Sequence, residues 1–249
     1  MKFNILLVLY CFYQVEAKSV HNTHLASNKS NKIPKCGVKS EPTRQKRYVL
    51  QNTIWKKSIL TWRVDRYTKD LSQQRVRKII RRAFRKWAVW IPVRFLEKKY
   101  GPVDISIQFV IENHEPCNFP FDGRDGDIAH AYYPYQGQDI AGDIHFDDDE
   151  MFTDKSFYGR SLAWTALHEI GHSLGLKHSH VWGAVMSPYY HSFYHPNVRL
   201  SLSTDDIMGI QSLYGDPLSH GNQKYTSINS VLNIWNKEKN YNHKYLNLL

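Results

Sequence analysis

Cysteine is scarce in this 249-residue chain: Cys11, Cys36 and Cys117 are the only three. A small scaffold stapled by disulfides needs several paired thiols, so that architecture is excluded. No apolar run is long enough to cross a bilayer comfortably. The nearest to one, in MKFNILLVLYCFYQVEA at residues 1–17, is a short apolar stretch behind one lysine and ahead of Val15-Glu16-Ala17, which predicts a cleaved signal peptide and secretion. No internal repeat is found, which argues against a solenoid or propeller. Lysine and arginine are almost missing where acids are densest: residues 104–154 hold thirteen Asp/Glu against Arg124 alone. So many carboxylates repel one another unless cations neutralise them, and calcium, which takes oxygen ligands, is the economical expectation.

What is present is an uneven charge. The formal net charge is +10, but residues 18–47 hold eight Lys/Arg and one acid, leaving only +3 over residues 48–249. A positive total concentrated in a leader is no argument for nucleic-acid binding. The leader ends in Arg44-Gln45-Lys46-Arg47, a run suited to a furin-like processing protease. The expected organisation is therefore a signal peptide at 1–17, a short propeptide at 18–47, one domain at 48–215 and a polar tail at 216–249. With 42% hydrophobic and 14% aromatic residues the chain can bury one sizeable core.

Ile59–Val64 alternates as a half-buried strand should, and Val93–Leu96 and Val103–Val110 read as two more. Leu71, Val76, Ile79, Ile80, Ala83, Phe84 and Trp87 recur at helical spacing, so 69–89 is an expected amphipathic helix with a cationic, solvated face. A second helix is expected from about Leu162 to Leu174, and a third at Thr204–Tyr214 with Thr204 as its N-cap.

The stretch His168–His178 reads HEIGHSLGLKH. Positions four apart share a helix face, so His168 and His172 can offer two imidazoles to one ion. Glu169, displaced around the helix, can reach a water there without ligating the metal. Gly175 tolerates the left-handed conformation that turns the chain back and brings in His178 as a third ligand. Three protein ligands leave a fourth tetrahedral position open, as catalytic zinc requires.

With Val185-Met186-Ser187-Pro188 following, this pattern resembles the metzincin metallopeptidases, whose HExxHxxGxxH motif is followed by a methionine turn, here Met186. Over roughly 48–215 the chain resembles the matrix metalloproteinases, or matrixins, through YTKDLSQQRVRKIIRRAFRKW, VDISIQF, FPFDG, IAHAYYP, AGDIHFDDDE, MSPYY and LSTDDIMGIQSLYG. The resemblance implies an α+β domain with a twisted, mixed five-stranded sheet and three helices. It implies a secreted zinc-dependent endopeptidase acting on extracellular proteins or peptides, with Glu169 as general base and then acid, and tissue-inhibitor-type proteins as partners.

By the same resemblance His130 and His145 bind a second, structural zinc. The family's other two ligands form a His-x-Asp pair shortly before FDG. Here that place reads His114-Glu115-Pro116-Cys117-Asn118, with Cys117 where the Asp is expected. A thiolate is a good zinc ligand, so the expected closed site is His114, Cys117, His130 and His145; the alternative is a free surface cysteine and a lost second zinc. Calcium positions carry over to Asp122, Asp147 and Glu150 with carbonyls at Gly123, Asp125 and Asp127, Asp148 alongside, and to Asp104 and Asp143 with carbonyls near Asp139 and Ala141.

Matrixins are held latent by a propeptide cysteine in a sequence like PRCGVPD. Residues 34–40, PKCGVKS, keep Pro34, Cys36, Gly37 and Val38 but lose the Arg and the Asp, so Cys36 is the expected inhibitory ligand, with a weak grip released by cleavage after Arg47. The resemblance puts the specificity pocket beside the zinc, walled by Pro188–Tyr190 and residues 191–203. Trp164, four residues before His168, either sets its depth or belongs to the core.

Overall fold

The structure is a computed structural model that describes residues 34–38, 53–135, 139–190 and 200–217. The expected signal peptide, the leader apart from 34–38, the basic Arg44–Arg47 run, residues 191–199 of the pocket loop and residues 218–249 of the tail lie outside the described residues.

In chain order the elements are β1 (Lys35–Cys36), β2 (Ile59–Arg66), α1 (Gln73–Ala88), β3 (Arg94–Glu97), β4 (Ile105–Val110), β5 (Asp127–Ala131), β6 (Ile144–Asp147), β7 (Phe152–Thr153), β8 (Arg160–Ser161), α2 (Leu162–Ser173) and α3 (Thr204–Tyr214). The main sheet has the order β1-β5-β6-β4-β2-β3, and β7 pairs with β8 separately. Strands β2 to β6 make the five-stranded sheet that was expected, and leader strand β1 adds a sixth at the edge. β2, β3, β4 and β6 run parallel, while β5 is antiparallel to β6. Parallel neighbours need a crossover, and α1 supplies the one between β2 and β3.

α1 is four residues shorter at its start than its apolar spacing predicts, because Ser72 caps it, its Oγ accepting from the Arg75 N–H at 3.3 Å. Val76, Ile79, Ile80, Ala83, Phe84 and Trp87 are buried, as their spacing requires. On the outer face Arg77 and Arg81 both bond Glu97 of β3. Phe84 stacks on Trp62 of β2 with centroids 5.1 Å apart. Burying each such side chain contributes about 1.5–3 kcal/mol. The Trp87 indole N–H donates to the Leu167 carbonyl at 2.9 Å, tying α1 to α2. In α3 the N-cap is Ser203 rather than Thr204: its Oγ and the Asp206 carboxylate form a reciprocal capping box. No helix among the described residues is long and apolar enough to cross a membrane.

Every residue of α2 except Ala163 is buried. The helix is sandwiched between α1 and a turn at residues 184–187, and the contact point is Gly171. A Cβ there would run into Met186 Sδ and lie 3.1 Å from the Trp87 ring. Gly171→Ala is therefore expected to lower stability by about 1–3 kcal/mol through overpacking, read as a lower denaturant midpoint with an unchanged slope. An unchanged midpoint would show that Met186 yields at no cost.

Candidate metal centres and active site

α2 begins at a Ser161 cap and ends where Gly175, at φ +105°, takes a conformation that other residues rarely adopt. A side chain at Gly175 would also meet the Thr53 carbonyl. The Gly175 N–H returns to the His172 carbonyl at 2.8 Å and the Leu176 N–H to that of Gly171 at 2.9 Å, so the chain folds back under the helix. That turn brings His178 beside His168 and His172, with ring centroids 5.3 and 4.7 Å away.

His168 Nδ1 lies 2.6 Å from the Val185 carbonyl, and His172 Nδ1 2.6 Å from that of Leu176. A carbonyl only accepts, so each Nδ1 carries the proton and each Nε2 presents a lone pair. These two Nε2 atoms are 3.1 Å apart. Cys36 Sγ is 3.5 Å from His172 Nε2. Cys36, His168, His172 and His178 are all buried, with one donor atom each inside a 4.8 Å span. Burial lowers the basicity of all three imidazoles, His168 falling to about 4. Burial pushes the Glu169 carboxyl up to about 8 and, with the nearby Glu169, drives the Cys36 thiol well above its usual range. Glu169 Oε2 is buried without a hydrogen-bond partner. Facing lone pairs and an orphaned carboxylate oxygen suit a divalent cation.

Cys36 reaches this place as part of a strand. Lys35 N–H donates to the Gly126 carbonyl and Gly37 N–H to that of Ala129, each at 2.8 Å, on the β5 side. On the other side Cys36 N–H donates to the Pro188 carbonyl at 3.0 Å and Tyr190 N–H to that of Pro34 at 3.1 Å. Residues 34–37 thus bridge the cleft between β5 and Pro188–Tyr190. Lys35, where the family pattern has Arg, pairs with Asp127 of β5 at 3.6 Å. Trp164, on α2, is buried, stacked on His168 at 5.2 Å and edge-on to Tyr190 at 5.1 Å. Its burial fits the core reading of Trp164.

A second cluster unites His114, Cys117, His130 and His145, all buried, again within 4.8 Å. These are the only two such groups of His, Cys, Asp or Glu among the described residues. The acidic loops are looser. Glu150 accepts from Asp125 N–H at 2.6 Å and from Arg160 Nε at 2.9 Å, and Arg160 also holds Asp125. Asp122 accepts from Asp127 N–H at 3.0 Å. Asp147 is fully buried with Oδ2 unpartnered, and Asp148 Oδ1 is likewise without a partner. Asp104 is engaged by Lys57 and Thr61, and Asp143 accepts from Ser106 N–H at 2.8 Å. Asp104, Asp139 and Ala141 line one cavity of about 400 Å³.

Two residues that sequence reasoning passed over complete the frame. Asp206 accepts from the Val185 N–H at 2.9 Å and the Met186 N–H at 3.1 Å, fixing the methionine turn whose Val185 carbonyl orients His168. The S-x-x-D spacing of Ser203 and Asp206 was the available signal. Tyr132 donates its O–H to Cys117 Sγ at 2.9 Å, and nothing local in the sequence announced it.

The two-histidine helix, the glutamate between them, the glycine turn to a third histidine and the methionine turn beneath place this domain among the metzincin metallopeptidases. The chain belongs to the matrixin family, whose family model matches residues 54–215. It is 43% identical over 186 residues to macrophage metalloelastase of Rattus norvegicus, covering 75% of this chain and 38% of the relative. To stromelysin-3 of Xenopus laevis it is 40% identical over 217 residues, 82% and 44% of the two chains, and to matrilysin of Mus musculus 42% over 183 residues, 73% and 66%. The chain thus spans about two fifths of the length of the first two relatives.

Asp206→Asn keeps the size but replaces one of the two accepting oxygens by an amide N–H₂, which then faces a backbone N–H donor of the methionine turn, Val185 or Met186. A loss of about 1–3 kcal/mol is expected, with weaker zinc retention against a chelator. A variant equal to wild type in melting and chelator resistance would remove Asp206 from the metal-site frame.

Proposed function

We propose that the chain is a secreted zinc-dependent endopeptidase that hydrolyses peptide bonds in extracellular proteins, kept inactive by Cys36 until its leader is cut after Arg47. One observation carries the reading: backbone carbonyls fix two imidazoles so that their free nitrogens meet a third histidine and a cysteine, with Glu169 beside them. His168, His172 and His178 would hold the zinc, and Cys36 would fill the remaining position in the uncut chain.

When bound, zinc would supply Lewis acidity, polarising the scissile carbonyl and making a water more acidic. Glu169 takes a proton from the attacking water as the C–O bond forms, and returns it to the amide nitrogen as the C–N bond breaks. The Gly126, Ala129 and Pro188 carbonyls and the Tyr190 N–H, which the leader engages, would hold an extended substrate backbone once the leader has gone. Trp164, Pro188 and Tyr190 bound the side-chain pocket in this reading.

Calcium is proposed for the acid-rich loops around Asp122, Asp147 and Glu150. In support, burial and then the charges of Asp149, Glu150 and Asp122 push the Asp147 carboxyl up to about 7, so a cation there would stabilise its charged form. A furin-like protease and inhibitor proteins of the tissue-inhibitor type are the partners this reading brings with it. Residues 1–17 serve as the signal peptide.

Glu169→Gln should retain zinc and melting temperature while kcat on a quenched fluorescent peptide falls by roughly 10²–10⁴-fold. A variant that cleaves at the wild-type rate contradicts the assigned role. Cys36→Ser in the uncut chain should cleave the same peptide faster than the uncut wild type but more slowly than the protein processed after Arg47, because the backbone bonds of residues 34–37 still occupy the cleft. If it stays as silent as the uncut wild type, Cys36 is not what holds the enzyme inactive.

A further inference from the structure

The outer face of α1 carries a charge that nothing on the helix balances. Seven of its sixteen residues are Lys or Arg and none is acidic, so even the first turn, where the helix dipole favours a carboxylate, holds Arg75. A merely solvated face gains by alternating the two signs four residues apart. Here Lys78 and Arg82, Arg81 and Arg85, and Arg82 and Lys86 set like charges at that spacing, which destabilises the helix.

The acids within reach are already taken. Glu97 of β3 is held by both Arg77 and Arg81, and Asp154 by Arg75 at 2.9 Å. Lys78, Arg82 and Arg85 are exposed, and among the described residues no acid pairs with them. On a 3.6-residue helix these three lie within about 60° of one another and span about 10 Å along the axis, so they form a row. Beside it a cavity of about 160 Å³ opens between α1 and β3, with Phe84 and Phe95 in its wall and Arg81 and Arg85 among its lining. A linear polymer of rings bearing anionic groups would meet guanidinium forks along the helix and an apolar wall next to them.

The occupant follows from what this face lacks. α1 has buried its apolar residues in the core, so no apolar side is left to insert among lipid tails. Its exposed residues, Gln73, Gln74, Arg75, Lys78, Arg82 and Arg85, include no aromatic on which bases could stack. We infer that the row Lys78, Arg82 and Arg85 binds a sulfated linear glycan, at a site separate from the cleft. α1 borders β3 through the Glu97 ion pairs, and β3 closes one edge of the sheet, whereas β1 and β5 of the cleft lie at the other. A bound glycan therefore anchors the protein without covering the cleft. The choice of an extracellular polymer rests on the reading of the chain as a secreted peptidase; the row of cations does not.

The test measures the full chain on immobilised heparin at fixed salt. Wild type is compared with Lys78→Gln/Arg82→Gln/Arg85→Gln and with a control that removes three other exposed charges, Lys56→Gln/Lys99→Gln/Arg124→Gln. The basic residues of the leader are common to all three proteins and cancel. The row variant should bind roughly 10–100-fold more weakly, with a shallower salt dependence, while the control stays near wild type. Its melting temperature should be unchanged or higher, since like charges have been removed, which separates a binding loss from misfolding. Unchanged binding by the row variant, or an equal loss in the control, overturns the site. Equal binding of wild type to desulfated heparin overturns sulfate as the recognised group, and tighter binding to duplex DNA or to phosphatidylserine vesicles overturns the glycan as occupant. A Glu169→Gln variant with undiminished activity would sink the peptidase reading and leave the heparin result standing.

Discussion

The proton on Nδ1 of His172 points at the Leu176 carbonyl and that of His168 at the Val185 carbonyl, each 2.6 Å away, and this leaves the two Nε2 lone pairs turned toward each other. Much of the fold serves to put those two carbonyls there. The Leu176 carbonyl is in place because Gly175 adopts a left-handed conformation and the chain doubles back beneath its own helix. The Val185 carbonyl is in place because Asp206, at the start of α3, grips the next turn by two N–H groups. Met186 fills the space under Gly171, so the turn cannot approach more closely or tilt. The direction of the two imidazoles is thus set by two backbone carbonyls, one held by the Gly175 turn and the other by the Asp206 carboxylate, and side-chain rotamer freedom adds little.

The leader enters this arrangement as a strand, and its grip is distributed. Four backbone hydrogen bonds engage both cleft walls, while the ion pair of Lys35 with Asp127 is half-exposed on the lysine side and contributes little. The missing Arg and Asp of the family pattern would have braced the loop internally. Here the bracing comes from the cleft itself. The same groups cannot bind leader and substrate at once, and an intramolecular strand enjoys a high effective concentration that a cut one loses. In the proposed reading, latency would rest on covalent attachment more than on intrinsic affinity, in keeping with a short motif that keeps only its Pro, Cys, Gly and Val.

Legibility in the sequence followed the range of the contacts. The metal helix was readable because its ligands are spaced by one helix and one turn, and helical period and glycine conformation are local rules. β2, β4 and the buried face of α1 were readable from their periodicity. β5 and β6 were not, because buried histidines and aspartates such as His130, His145 and Asp147 break the apolar alternation that marks a strand. Cys117 could be singled out only by counting back from FDG. Tyr132 and Asp206 act on partners 15 and 21 residues away, across turns whose course no local pattern gives. The cap of α3 was placed one residue late because Ser203 and Thr204 are equally good capping residues, and only the Asp206 carboxylate decides between them.

The same limit explains the acidic stretch. Counted alone, residues 104–154 present thirteen carboxylates to a single arginine, yet the folded chain imports cations from outside that segment. Lys57 reaches Asp104, Arg75 reaches Asp154, Lys35 reaches Asp127, and Arg160 bonds both Asp125 and Glu150. Hydrogen bonds from Lys57 and Thr61 hold the Asp104 carboxyl below its usual range although burial alone would raise it, so a metal ion there would have to displace an existing cation. Asp147 is the opposite case: fully buried, pushed up by burial and by three neighbouring acids, and with one oxygen unpartnered. The free energy that a calcium ion could recover is therefore concentrated at the Asp147 loop. There the protein's own cation, Arg160, already covers Asp125 and Glu150 but makes no bond to Asp147.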